Sequence, residues 1–126
     1  MITEIFVLLV SFQAKHFVYD YIWQTPYMLG KFKEKNWLLP LLAHVYLHGA
    51  ATFTIAFFAS GSLFWFAISL MLMDMVIHFT MDRVKASPKM LGRFNIKEKE
   101  FWWSLGFDQM VHHLTHYLLI YLIVTV

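Results

Sequence analysis

The chain has 126 residues, 60% of them hydrophobic and only 14% charged, with a net charge of +2 and a mean hydropathy of +0.57. A soluble domain carries about 45–50% apolar and about 25% charged residues, and one this small leaves much of its surface in water. The composition therefore excludes a soluble enzyme, a disordered chain and a free nucleic-acid-binding domain, and it indicates an all-α polytopic membrane protein.

A helix crossing the bilayer needs about 20 mostly apolar residues. Four stretches meet that length, about 4–24, 37–59, 63–84 and 101–126, which predicts one transmembrane domain built as a four-helix bundle. Thr3 is the expected N-cap of the first span. Met1-Ile2-Thr3-Glu4 has no basic n-region and no small-residue cleavage site follows it, so the first run is expected to be a retained span. Only Ser60-Gly61-Ser62 separates the second span from the third. Two polar linkers, 25–36 and 85–100, hold eight of the ten basic residues, among them Lys31, Lys85, Lys89 and Arg93. With an even number of spans both linkers share one face. The positive-inside rule makes that face cytoplasmic and puts both termini outside the cytoplasm. Trp23, Trp37, Trp102 and Trp103 fall at the same helix ends, as an interfacial belt would.

Ionisable groups inside a bilayer are costly and mark functional sites. All four Asp and all seven His of the chain fall within the spans, whereas all four Glu fall at span ends or in linkers. They form stripes with a spacing of four, which is one helix face: His16 and Asp20; His44 and His48; Asp74, His78 and Asp82; Asp108, His112 and His116. A rise of about 1.5 Å per residue brings the four stripes to a common level about 10–15 Å below the cytoplasmic face. Ten such residues meeting in a bundle core exceed the needs of one ion. They indicate one or two divalent metals of the Zn, Mn or Fe type, with other residues orienting the ligands. Cys is absent, so no thiolate ligand, disulfide or cysteine nucleophile is available. His113 and Lys15 lie off their stripes; His113 is expected in a helix contact, and Lys15 to pair with an Asp of a neighbouring helix or to snorkel. Gly49, Ala50 and Ala51 beside His48 are expected to let the second span approach its neighbour closely.

Lys15-His16-Phe17-x2-Asp20, His44-x3-His48-Gly49, Asp74-x3-His78-x3-Asp82-x2-Lys85 and Asp108-Gln109-x2-His112 together resemble a small bacterial and phage family of membrane proteins of unknown function, over nearly the whole chain. The His/Asp stripes in short spans also resemble, more weakly, inner-membrane proteins assigned as metal-dependent hydrolases. That resemblance implies an inner-membrane location in a bacterium or phage-infected host. His44-x3-His48 and Gln109-x2-His112-His113 look like the first and last histidine boxes of membrane di-iron desaturases, but the middle His-x2-His-His box is missing.

The expected function is metal-dependent hydrolysis of a lipid or lipid-linked substrate at the inner membrane face, with water as the nucleophile. His44, His48, Asp74, His78, Asp108 and His112 are the expected metal ligands. His16, Asp20, Asp82 and His116 are expected to complete the shell or to act as base and orienting groups. Lys85, at the mouth of the third stripe, is either a substrate-phosphate contact or a flanking residue. The linker lysines are expected to meet anionic lipid headgroups, and self-association of the chain is open. The competing readings are a di-iron oxidoreductase, a metal or proton transporter and a non-enzymatic membrane factor.

Overall fold

A computed structural model describes residues 1–126. The chain is all helical, with four long helices: α1 (Ile2–Phe17), α2 (Leu38–Ala59), α3 (Phe64–Ala86) and α4 (Lys99–Thr125). α1 packs against α2 and α4, α2 against α3, and α3 against α4, so the four helices close a ring around one core. Three helical segments, 2–22, 38–59 and 64–93, are long and apolar enough to cross a membrane. α4 is not among them, because Asp108, Gln109, His112, His113 and His116 fall in its middle.

Local chemistry explains the boundaries. α1 starts at Ile2 with Met1 as its N-cap, and Thr3 lies inside the helix rather than capping it. α1 does not run on as regular helix: after Phe17 it widens into a π-turn over Val18–Ile22 that carries Asp20. Pro40 sits in the first turn of α2, where its missing N–H has no intrahelical partner to lose. α2 ends in a Schellman arrangement. Gly61 is left-handed at φ 69°, and the Ser62 N–H donates to the Phe57 carbonyl at 2.8 Å. Ser87 ends α3 with extended backbone, as the residue before Pro88 must.

Linker 25–36 is not a solvated tether. It folds into a 3-10 turn over Met28–Phe32 with Met28, Gly30 and Lys31 buried. Arg83 holds it there: its Nη1 donates to the Lys31 carbonyl at 3.1 Å, and its guanidinium lies 3.8 Å above the Trp37 ring. Gly30 fits against Pro40, where a Cβ would come within 2.8 Å of the proline ring. α2 and α3 approach as the small residues predict, since a Cβ on Gly49 would meet Met75 Cγ at 2.5 Å.

The core has two layers. At the end carrying the chain termini and the Ser60–Ser62 turn, Leu8, Phe12, Ala56, Ala67, Leu70, Leu119, Ile120 and Ile123 form one apolar cluster. Towards the linkers the buried side chains are polar: Lys15, His16, Lys31, His44, His48, Asp74, His78, Asp82, Asp108, His112 and His116. The outside is the reverse, with Phe6, Phe58, Trp65, Val76, Trp103 and Tyr121 all more than half exposed.

Two glycines give a stability test. A Cβ on Gly92 would lie 2.5 Å from the Ala86 carbonyl oxygen and 2.7 Å from that of Ser87, and backbone cannot swing aside. A Cβ on Gly106, within α4, meets nothing within 4 Å. Gly92→Ala should lower the unfolding temperature in detergent, whereas Gly106→Ala should raise stability by up to about 1 kcal/mol through helix propensity.

Candidate metal centre

The π-turn of α1 presents the Asp20 carboxylate to α2 and α3. Asp20 Oδ1 lies 2.8 Å from His48 Nε2, 3.3 Å from His44 Nε2 and 3.9 Å from His78 Nε2. Facing the same two imidazoles, Asp82 Oδ2 lies 3.2 Å from His44 Nε2 and 3.6 Å from His78 Nε2. Asp82 Oδ1 faces His112 Nε2 of α4 at 3.4 Å. All four helices therefore point a carboxylate or imidazole at one spot. Two sets have ligand atoms within 4.8 Å of one another and could hold a metal ion: Asp20, His44, His48 and His78; and His78, Asp82 and His112. His78 belongs to both.

These atoms converge at ion-pair distances but not in hydrogen-bonding geometry. Both ring nitrogens of His44, His48, His78 and His112 are buried with no hydrogen-bond partner, as is Asp20 Oδ1. Leaving a buried polar atom unpaired costs about 1–3 kcal/mol, so a cluster of them facing inward is the arrangement a cation would satisfy. The donors are all N and O, which suits Zn, Mn or Fe.

The remaining charged groups are already matched. Lys15 donates to Asp74 Oδ2 at 2.6 Å, and the Thr52 hydroxyl donates to the same oxygen at 2.6 Å. Lys31 pairs with Asp82 at 3.0 Å and Lys85 with Asp108 at 2.7 Å. The partners of Asp20 are all histidines. Half-buried, it is the one aspartate of the four with no lysine of its own.

These pairs change the roles expected for several residues. Asp74 is engaged by Lys15 and Thr52 and lies outside both metal-sized sets. It sits a turn too deep along α3 and neutralises Lys15. Asp108 is likewise outside the sets and faces the other ring nitrogen of a ligand: its Oδ1 lies 3.3 Å from His112 Nδ1. That places a carboxylate beside the ring nitrogen turned away from Asp82, at ion-pair distance and without a hydrogen bond. Asp20 and Asp82, expected to complete the shell or act as base, sit inside the sets themselves. His16 Nε2 donates to Gln109 Oε1 at 2.8 Å and lies 3.3 Å from Asp20 Oδ2. Gln109 Nε2 donates to Asp108 Oδ2 at 3.0 Å. Lys85, Asp108, Gln109, His16 and Asp20 thus form a chain of contacts along one wall. His116 is buried below this level against Phe12, with ring centroids 5.2 Å apart. His113 leaves the cluster and accepts from Gln13 at 3.0 Å.

Lys31 lies in a linker, so no span stripe contains it; its side chain is buried and pairs with Asp82. Thr52 carried a signal: it continues the spacing of four from His44 and His48. A cleft of about 140 Å³ reaches the site between Asp20, Lys31, Asp82, Lys85 and Gln109.

The fold and site define a class: a closed four-helix bundle with an apolar exterior and a buried His/Asp centre. The chain belongs to the family described as protein of unknown function (DUF3307), whose pattern matches residues 6–126. No curated protein and no solved structure matches it.

The Lys15–Asp74 pair can be separated from the metal centre by experiment. Lys15→Met alone should cost about 3–5 kcal/mol, because it strands a buried carboxylate. Lys15→Met with Asp74→Leu should recover most of that loss. The readout is unfolding in detergent for the two single variants and the double.

Proposed function

We propose that the chain is a membrane-embedded metalloprotein that hydrolyses a lipid or lipid-linked ester at its linker face. The observation that carries this reading is the convergence of Asp20, Asp82, His44, His48, His78 and His112 from four helices, with the histidine nitrogens unpaired and buried. One or two zinc, manganese or iron ions fit that donor set.

The inverted surface supports membrane placement. Exposed apolar side chains surround a core of buried charges, the opposite of a soluble bundle. α4 is 27 residues long, enough to span, and Asp108, His112 and His116 of its polar residues are buried in the bundle. The basic linkers support a site near the cytoplasmic face of an inner membrane, with both termini on the other side.

A bound dication would lower the pKa of a coordinated water and polarise the ester. The protein's own groups do the rest. Asp20 presents Oδ1 to the histidines and Oδ2 towards His16, so Oδ2 is placed to take a proton from the attacking water. The water oxygen then bonds to the acyl carbon or phosphorus, the ester bond breaks, and the proton passes to the departing alcohol. His16 and Gln109 hold Asp20 in position. Lys31 and Lys85 flank the cleft and would attract an anionic headgroup. The apolar layer beyond Phe12 closes the far end of the core, which favours a one-ended site over a conduit for ions or protons.

Three outcomes are expected. Purified wild type should carry stoichiometric transition metal, His78→Ala should lose most of it because His78 serves both sets, and His113→Ala should keep it; metal analysis of the three proteins decides. A cysteine replacing Lys97 should be labelled only from the cytoplasmic side and one replacing Leu63 only from the other, and the reverse pattern would overturn the topology. Incubated anaerobically with a total lipid extract, reconstituted protein should consume one lipid class in a chelator-sensitive way. Turnover that requires oxygen and a reductant would overturn hydrolysis in favour of di-iron chemistry.

A further inference from the structure

Two clefts meet at Lys85. The polar one, about 140 Å³, opens onto Asp20, Gln24, Lys31, Asp82 and Gln109. The second, about 170 Å³, is bordered by Leu91, Phe94, Phe101 and Ser104. Phe32, Lys85 and Leu105 border both. A charged recess beside the Asp20–Asp82 cluster therefore adjoins an apolar recess formed by the second linker and the start of α4.

The sign of the charge in the first recess follows from the ion pairs. Three buried aspartates, Asp74, Asp82 and Asp108, and the half-buried Asp20 face two buried lysines, Lys15 and Lys31, and the half-buried Lys85; the aspartate left without a lysine is Asp20. One dication at Asp20 turns that single negative charge into a single positive one, and a second dication adds two more. An uncompensated charge in a buried site is expensive, so the loaded centre needs an anion. Asp82 offers its Oδ2 to Lys31 and to the histidines of the site at once. A cation there competes with Lys31 for the carboxylate and leaves the ammonium in need of another acceptor. Lys31 approaches from the first linker, Lys85 from α3, and the Asp20–Asp82 centre lies between them. Positive charge from three directions suits a tetrahedral anion with three free oxygens better than a planar carboxylate.

We propose that the metal-loaded site binds the phosphate headgroup of a single-chain or branched amphiphile, with the phosphate against Lys31, Lys85 and the metal and the apolar chain against Phe94 and Phe101. The inference rests on the metal reading above and names the substrate class for it. The hydrolysed bond is then a phosphoester: the water oxygen joins phosphorus, the P–O bond to the lipid alcohol breaks, and that alcohol leaves with the proton.

The test uses probes whose C–P bond the site cannot hydrolyse. Full-length protein in detergent is loaded with zinc, its zinc content is measured, and it is titrated calorimetrically with dodecylphosphonate, with dodecanol (chain without head) and with methylphosphonate (head without chain). Dodecylphosphonate should bind at least tenfold more tightly than either, and at least tenfold more tightly than to zinc-free protein. Lys85→Gln should weaken it about tenfold at unchanged zinc content. Phe94→Ser should weaken dodecylphosphonate but not methylphosphonate, which keeps the proposal testable if Lys85→Gln misfolds. Dodecanol binding as tightly as dodecylphosphonate, or binding indifferent to zinc, would overturn the anion site. Methylphosphonate binding as tightly as dodecylphosphonate would make free phosphate the ligand and overturn the amphiphile. Wild type that takes up no zinc sinks the metal reading and this inference with it; intact zinc uptake without a phosphonate preference sinks this inference alone.

Discussion

An ionised group in a closed helical core has no water to screen it, so each charge needs a counter-charge or a ligand within a few ångströms. That constraint organises this molecule. Lys15 crosses from α1 to Asp74 on α3, Lys85 crosses from α3 to Asp108 on α4, and Lys31 is drawn in from a linker to reach Asp82. The linker folds accordingly, with its 3-10 turn buried and clasped by Arg83. What the lysines leave over is Asp20 and a wall of histidine nitrogens without partners. The candidate metal centre is the part of the core that the protein's own charges do not complete.

The same constraint explains why polar and apolar layers separate along the bundle axis. Phe12 sits between them, fully buried and stacked near His116, one turn before the Lys15–His16 pair. Beyond it the core is purely aliphatic and aromatic. The site is consequently reached from the linker end, where the cleft beside Lys31 and Lys85 lies.

Much of this was legible in the sequence, because a spacing of four residues survives translation into a helix face. The helix count, the turn at Ser60–Ser62, the close α2–α3 approach at Gly49 and the meeting of the four polar stripes all follow from it. The division of labour within the stripes did not. Asp74 and Asp108 look like ligands by spacing, yet each is taken by a lysine whose reach depends on helix rotation and on a linker's path. The π-turn that aims Asp20 at His48 has no sequence signature, since it depends on where a single extra residue is absorbed. A charge count would have helped: four aspartates in the spans with only Lys15 and, at a span end, Arg83 to oppose them implied that lysines from the linkers must enter the core.

The central claim is that the unpaired imidazoles and the Asp20 and Asp82 carboxylates hold a metal together. X-ray absorption at the metal edge of the purified, zinc-loaded protein tests it most directly. The account predicts a first shell of nitrogen and oxygen only, at about 2.0–2.2 Å, with the outer-shell scattering of several imidazoles. A metal bound without imidazole scattering, or no stoichiometric metal at all, would contradict it.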